Sequence, residues 1–357
     1  MNENKLLEID GSLGEGGGAI LRLSAAYSVL FKHPIRIINI RANRPKPGLR
    51  LQHLLGLETL SKITNSSLSS CKVGTEEISI IPNPSNDVKS LLKLNVNTAA
   101  SLGLLLQPIQ IASLGFKNPD KIEIFVRGGG TFGKWAPSMN YLKEVTYKLF
   151  ERSRLKIDID IQKHGFYPKG GALLKCIIHP SKENLKPINL TELGNVDLIQ
   201  GEIFVTNHLR RNRDNIGLRI KKSIQQQLGK NFKSETDIKY TWVDSISPGV
   251  GVSLWAQSDT GALISTGTFL GEKKLSSEKL GFIVAQEMLK YLENDIPVDN
   301  YLSDQLIPLI GYVKKPSSIK VSEITSHTHT NLKLIKLFTD REYEIIKHDN
   351  YSVINFQ

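Results

Sequence analysis

Four glycines within a five-residue turn, followed at once by an apolar run, are what most constrains the fold of this chain. Residues 10–53 read DGSLGEGGGAILRLSAAYSVLFKHPIRIINIRANRPKPGLRLQH. Gly14, Gly16, Gly17 and Gly18 let backbone N–H groups come close to an anion, because no Cβ blocks the approach. Ile20, Leu21, Leu23, Ala25 and Ala26 predict a helix that starts at this turn. A helix N-terminus favours phosphate through its free N–H groups and its dipole. Glu15 sits inside the same turn, where a bare carboxylate repels phosphate. A divalent cation between the two resolves the conflict, an oxygen-ligand role suited to Mg2+. Arg22 falls on the first helical turn on the phosphate side and reads equally as a surface charge.

Two common glycine motifs do not account for the turn. GEGGGA formally fits the dinucleotide fingerprint G-x-G-x-x-A. The preceding strand (6–9) is short, however, and the next (35–40) ends in Arg41 rather than in an acid able to hold a ribose. No Gly-Lys-Ser/Thr follows, which excludes the Walker loop. The basic loop carries Arg41, Arg44, Lys46 and Arg50, stiffened by Pro45 and Pro47, so several cations are held together at reduced entropic cost. Arginine forks bind phosphate oxygens bidentately, so the cluster suits a terminal phosphate or a nucleic-acid backbone. A solvated basic turn is the plainer reading. The prolines, and the polar pair Gln52–His53 opening an otherwise apolar helix, favour a site.

The turn and loop together resemble the RNA 3′-terminal phosphate cyclase family, whose marks are a GEGGGQILR-like turn and an IRAGRPKPGL-like loop ending in Gln-His. This chain departs from them at Ala19, where the family commonly has Gln, and at Asn43, where it commonly has Gly. The resemblance implies a large domain of repeated βαβαββ-type units, an α/β (α+β) architecture related to that of enolpyruvyl transferases, interrupted by a small domain.

The rest of the chain is compatible with that plan. Its 357 residues exceed one average domain, and 40% hydrophobic with 23% charged residues is ordinary for a globular protein. A formal charge of +11 favours a polyanionic partner. Two cysteines, Cys71 and Cys176, form neither a disulfide framework nor a metal-spaced pair, which predicts a cytoplasmic protein. The opening MNENKLLEID lacks the apolar core of a signal peptide, and no apolar run reaches the ~18 residues a membrane helix needs.

Strands are predicted at 35–40, 77–81, 91–96, 122–127, 155–162 and 172–178, with helices at 49–61, 98–114 and about 138–150. After residue 180 a polar connector, SKENLKPINLTELGN, leads into a strand, a helix at 215–228 and strands near 238–243, 252–257 and 262–268. A strong helix then begins at Ser276–Ser277–Glu278, a plausible N-cap. The expected division is a discontinuous large domain, 1–183 with 276–357, around an inserted α/β domain, 184–275.

Near the C-terminus, Ser326-His327-Thr328-His329-Thr330-Asn331 precedes a helix expected to begin around Leu332. A His beside a helix start can act as base, metal ligand or nucleophile, and two His at i and i+2 on an extended segment face one side, as a metal pair would. The family resemblance implies a sharper role, since its nucleophilic His lies in an H-x-x-T-N pattern that His327 fits. His329 is the competing register.

Other positions are implied by the resemblance alone. Tyr301-Leu302-Ser303-Asp304-Gln305 resembles Y-L-A-D-Q, where the Tyr stacks on adenine and the Asp holds the ribose. On a helix these two share a face, as they would in an ordinary amphipathic helix. Pro137, in GGGTFGKWAP, sits where the family presents a proline to the other adenine face, although Phe132, Gly133 and Lys134 diverge. Gln107 resembles a polar residue near the phosphates, and otherwise reads as a hydrogen-bonded core Gln. HGFYPKGGA also matches the family, with His164 read as holding a turn.

The implied activity is ATP-dependent conversion of an RNA 3′-terminal phosphate to a 2′,3′-cyclic phosphate. It runs through histidyl-AMP at His327 and an RNA(3′)pp(5′)A intermediate. Gln107, Pro137, Tyr301, Asp304 and Gln305 would hold ATP, and Glu15 would hold Mg2+ or Mn2+. Arg22, Arg41, Arg44, Gln52 and His53 would hold phosphate or RNA. The partner implied is an RNA with a 3′-terminal phosphate, without a membrane or an obligate protein partner, and self-association as a homo-oligomer is left open. The main rival is a catalytically inactive cyclase-like RNA-binding factor of ribosome biogenesis, which would be expected to lose several of these residues, the His first. An enolpyruvyl transferase would have no use for a nucleophilic His or a nucleoside-stacking Tyr-x-x-Asp.

Overall fold

The computed structural model describes residues 6–85, 87–134, 136–210, 215–232 and 235–357. Residues 1–5, read above for a leader, and Trp135 of the GGGTFGKWAP stretch lie outside them. Within the described chain one strand–helix pattern occurs three times.

The first unit runs β1 (Leu7–Asp10), α1 (Gly18–Phe31), β2 (Ile35–Ile38), α2 (Leu51–Thr64), β3 (Ser67–Leu68) and β4 (Ile78–Ile81). Its sheet order is β1-β2-β4-β3, with β1 and β2 parallel and the other pairs antiparallel. The second unit has β5 (Leu91–Ser101), α3 (Leu102–Ala112) and β6 (Ile122–Gly130). A helix follows in which α4 (Met139–Tyr141) and α5 (Tyr147–Arg152) flank a π-helical stretch, Leu142–Thr146, and then β7 (Lys156–Lys163) and β8 (Leu173–His179). Its order, β5-β6-β8-β7, repeats the first.

The third unit opens with β9 (Asn189–Leu190) and is then interrupted by β10 (Leu198–Thr206), α6 (Ile216–Asn231), β11 (Glu235–Val243), β12 (Val250–Gln257), β13 (Leu263–Ser265), β14 (Phe269–Leu270) and α7 (Ser277–Glu293). It resumes with α8 (Asn300–Tyr312), β15 (Ser317–Val321), α9 (Ser326–Phe338), β16 (Tyr343–Lys347) and β17 (Ser352–Phe356). Its order, β9-β15-β17-β16, is again the same. A parallel crossover needs a connection long enough to return along the sheet, usually a helix, and each unit carries a second helix before its closing antiparallel strand pair. The repeated α/β architecture with an insertion is therefore present as expected.

Two elements cross the expected boundaries of the insertion. β9, inside 184–275, pairs in parallel with β15 of the third sheet. α7, inside 276–357, packs on α6 and β12 of the inserted sheet.

Two expected helices are also redrawn. The apolar run predicted as helix 98–114 is divided, because β5 continues along β6 through a bulge and Ser101 then caps α3, its Oγ accepting from Leu104 N at 3.4 Å. Hydrophobicity alone does not distinguish a buried strand end from a buried helix start. The last helix begins at Ser326 rather than near 332, with Thr325 as its N-cap. His327 and His329 are thus two positions apart on a helix, and such positions point away from each other. The metal-pair reading, which needed an extended segment, fails.

The core gathers around α1, where every residue from Ala19 to Leu30 is buried. A helix apolar on all sides belongs in the middle of a domain, and α1 packs against α2, α3 and α9 together. Cys71 and Cys176 are both free thiols, and no helix of the described residues is long and apolar enough to cross a membrane.

Candidate active site

The buried position of α1 makes its glycine-rich N-terminus the floor around which the other elements meet. Gly14 lies against Thr330 of α9, so tightly that a Cβ there would collide with the threonine hydroxyl. Gly18, the first residue of α1, faces His53 of α2 and Arg22, and an added Cβ would come within 2.8 Å of Arg22 Nη1 and closer still to His53 Nε2. Glycine at position 18 lets two basic side chains close on the start of the helix, and at position 14 it lets α9 approach the turn.

Arg22 is not a surface charge. It is 7% exposed, and its Nε donates to Gln107 Oε1 of α3 at 2.9 Å. Burial pushes its pKa down to about 10, opposed by Glu15. Gln107, itself buried, is therefore the group that orients the guanidinium, as a hydrogen-bonded core Gln would.

His53 is buried too. Its Nδ1 accepts the backbone N–H of Arg50 at 3.2 Å, which leaves Nε2 as the protonated donor facing the helix start. Burial, then the nearby charges of Arg22, Arg41 and Arg50, pushes its pKa down to about 3. The folded protein thus holds His53 neutral while the unfolded chain protonates near 6.5, so this stabilisation is complete above that pH and is lost as pH falls toward 3. About 2 kcal/mol of it is gone by pH 5. Melting curves at pH 7 and pH 5 should show wild type losing about 4 °C more than His53→Gln; equal losses would show that His53 titrates normally.

The basic loop divides its arginines between two tasks. Arg41 Nη1 donates to the backbone oxygens of Lys46, at 2.7 Å, and Gly48, at 3.2 Å, so this residue braces its own loop. Arg44 reaches across to the glycine turn, where its Nη2 lies 3.2 Å from Glu15 Oε2. Gln52 lies half-buried in the first turn of α2.

The other oxygen of Glu15 holds the nucleophile candidate. His327 Nδ1 lies 3.1 Å from Glu15 Oε1. This bond is the main cause holding the Glu15 carboxyl below its usual range, and the same bond raises the His327 pKa. With Nδ1 engaged, Nε2 is the ring nitrogen left for attack, on a side chain 46% exposed. The structure therefore brings Glu15, Arg22, Arg44, His53, Gln107 and His327 around one helix N-terminus, whereas His329 is an exposed residue two positions along α9.

Asp304 is tied to the start of α9. Its Oδ1 accepts from Thr325 Oγ1 at 2.8 Å and Thr328 Oγ1 at 2.6 Å, and Asn331 Nδ2 donates to its backbone oxygen at 3.0 Å. Burial raises its pKa. Through Thr325, the N-cap, it sets the first turn of α9 and hence the direction of His327. Gln305 follows it, half-buried. One helical turn earlier Tyr301 is 46% exposed, with its ring edge-on to Tyr141 at 6.2 Å. Pro137 precedes Ser138, the N-cap of α4, and Ser138 Oγ is 2.6 Å from Thr268 Oγ1 in the insertion. Sequence reasoning missed Asp299, the buried N-cap of α8, although an Asp immediately before an apolar helix is a recognisable capping signal.

This geometry coincides with a family match along almost the whole chain. The model of the family described as RNA 3′-terminal phosphate cyclase matches residues 13–345. The chain belongs to this family. It is 34% identical over 339 residues to the RNA 3′-terminal phosphate cyclase of Thermococcus kodakarensis, covering 95% of this chain and 94% of that one. It is similarly 35% identical to the Pyrococcus abyssi protein of the same name, covering 95% of each, and 31% identical to that of Methanopyrus kandleri, again with 95% of each covered. The matched range contains both the glycine turn and His327.

Proposed function

We propose that the protein is an ATP-dependent RNA 3′-terminal phosphate cyclase acting through His327. The observation that carries this reading is the pairing of His327 Nδ1 with Glu15 beside the glycine-rich N-terminus of α1. In the first step Nε2 donates its lone pair to the α-phosphorus of ATP. The N–P bond forms, the bond to the bridging oxygen breaks, and pyrophosphate leaves. Glu15 holds the Nδ1 proton and offsets the positive charge that builds on the ring. Arg22, Arg44, the His53 Nε2–H and the free N–H groups of α1 are arranged to offset the negative charge of the phosphates.

In the second step an oxygen of the RNA 3′-phosphate attacks the same phosphorus, the N–P bond breaks, and RNA(3′)pp(5′)A forms. In the third the neighbouring 2′-hydroxyl attacks the 3′-phosphorus, its proton passes to water, and AMP leaves with the former bridging oxygen. The hydroxyl and the phosphate belong to one nucleotide, so positioning supplies most of what this step needs.

A divalent cation suits Glu15. Among the described residues no group of three or more His, Cys, Asp or Glu side chains could hold a metal ion alone. Mg2+ is commonly held by one or two carboxylates with substrate phosphates and water, and Glu15 provides one such carboxylate beside the turn. When bound there, it would screen the triphosphate from Glu15 and make pyrophosphate a better leaving group. Glu15→Gln keeps an acceptor for His327 but removes the charge. The Mg2+ concentration giving half-maximal self-adenylation should rise about 10-fold or more; an unchanged metal titration would remove Glu15 from this role.

The activity is tested with a 3′-phosphorylated oligoribonucleotide. ATP should convert its terminus to a form that resists phosphatase and regains sensitivity after acid opening of the cyclic ester. A terminus that stays phosphatase-sensitive with ATP and Mg2+ present would contradict the proposal.

A further inference from the structure

The inserted domain and the start of α8 meet on one carboxylate, that of Asp299, which is fully buried. Its Oδ1 accepts the backbone N–H groups of Tyr301 at 3.0 Å and Leu302 at 2.9 Å, and the Tyr141 hydroxyl of α4 at 3.0 Å. Its Oδ2 accepts the backbone N–H of Ser265, at the end of β13, at 3.0 Å. Four donors from the second unit, the third unit and the insertion therefore converge on a single side chain.

The contacts return to Tyr301 by a second route. Ser265 Oγ donates to Leu254 O at 2.6 Å and accepts from Gly267 N at 3.1 Å, which fixes the backbone just beyond β13. Gly267 then lies directly against the Tyr301 ring, where an added Cβ would stand 2.6 Å from Cε2. Tyr141, bonded to Asp299, meets the same ring edge-on. Thus the backbone of Tyr301 and two of the surfaces its ring rests on, Gly267 and Tyr141, are tied to one carboxylate. Burial lifts the Asp299 pKa to about 7, opposed by all four donors, so keeping an acid here carries a cost that a neutral cap would avoid.

We propose that Asp299 is a positioning residue that locks the inserted domain to helix α8 and thereby fixes the Tyr301 ring as the surface on which the nucleobase of ATP stacks. The inference rests on the reading of Tyr301 as that surface. It gives the insertion a definite task, which is to back the Tyr301 ring through Gly267. Asp299 does not touch the nucleotide, so its loss should weaken recognition of the base and leave the chemistry at His327 alone.

The test is the steady-state kinetics of full-length Asp299→Asn, with ATP and with ribose 5′-triphosphate as a base-free donor. An amide presents an N–H to Ser265 N where the carboxylate presented an acceptor, so one of the four bonds is lost. The expected result is a KM for ATP raised about 10-fold, a kcat within about twofold of wild type, and an unchanged KM for the 3′-phosphorylated RNA. The KM for ribose 5′-triphosphate should equal that of wild type. A loss shared equally by both donors, or one that falls on kcat, would show a merely structural role and overturn the proposal. Should Asp299→Asn not fold, Tyr141→Phe, which removes one donor and keeps the ring, is read by the same criteria; in that variant an unchanged KM for ATP overturns it. If wild type itself uses ATP and ribose 5′-triphosphate equally well, the reading of Tyr301 fails along with the lock. If wild type prefers ATP and the variants keep that preference, only the lock fails.

Discussion

Replacing His327 by alanine is expected to reduce both self-adenylation and RNA cyclisation by at least ~10⁴-fold, because the atom that forms the covalent bond is removed. His327 is the side chain that α9 presents to Glu15, and its ring is partly exposed, so the fold should tolerate the change. Melting temperature and RNA binding should therefore stay close to wild type. His329→Ala should retain adenylation within about twofold, since position i+2 of a helix faces away from the Glu15 contact. The reverse pattern, with His329→Ala inactive and His327→Ala adenylated, would place the nucleophile two residues further along.

Arg22→Met should have the second-largest effect and should separate activity from stability. A buried guanidinium whose pKa is pushed down to about 10 is held against a desolvation penalty on the order of a few kcal/mol. Methionine fills a similar volume without the charge. It relieves that penalty and leaves Gln107 Oε1 without its donor, which costs about 1–3 kcal/mol. The two changes oppose each other, so the melting temperature should move by no more than about 5 °C. Meanwhile kcat/KM for ATP should fall about 100-fold or more, equivalent to ~3 kcal/mol of lost transition-state stabilisation. A variant that keeps its adenylation rate would reduce Arg22 to a structural cation; one that unfolds would show that the charge is needed for the core.

What the sequence made legible was the part of the site that is contiguous in the chain. The turn 14–18 leads directly into α1, and in the loop 41–53 Arg41 bonds the backbone of Lys46 and Gly48 and His53 that of Arg50, all contacts within a few residues. The link between Arg22 and Gln107 spans 85 positions, and no local spacing predicts the partner. The burial of Arg22 had a signal, since it is the single charged residue of α1 and a helix buried on all sides has no solvent face on which to carry a charge.

The start of α9 was hidden for a different reason. Ser326, Thr328 and Thr330 are weak helix formers, and their residue types suggest an extended approach to a later helix. Asp304 reverses that preference by accepting from both Thr325 and Thr328, a tertiary contact from another helix. The same misplacement produced the metal-pair reading of His327 and His329. Asp304 was singled out by family resemblance alone, and its bonds to Thr325, Thr328 and Asn331 set the direction of α9, a role no spacing rule conveys. Asp299 shows the same limit: its capping signal is local, but the bonds to Tyr141 and Ser265 join segments far apart in the chain.

The most direct test of the central claim is transfer of label from ATP carrying a labelled α-phosphate. Purified protein is incubated with this ATP and Mg2+ without RNA, then denatured and examined for covalent label. The predicted result is label retained in alkali, released by acid, and absent from His327→Ala, as a histidine phosphoramidate requires. Folded wild-type protein that binds the RNA yet takes up no label would contradict the account and favour the inactive, RNA-binding relative.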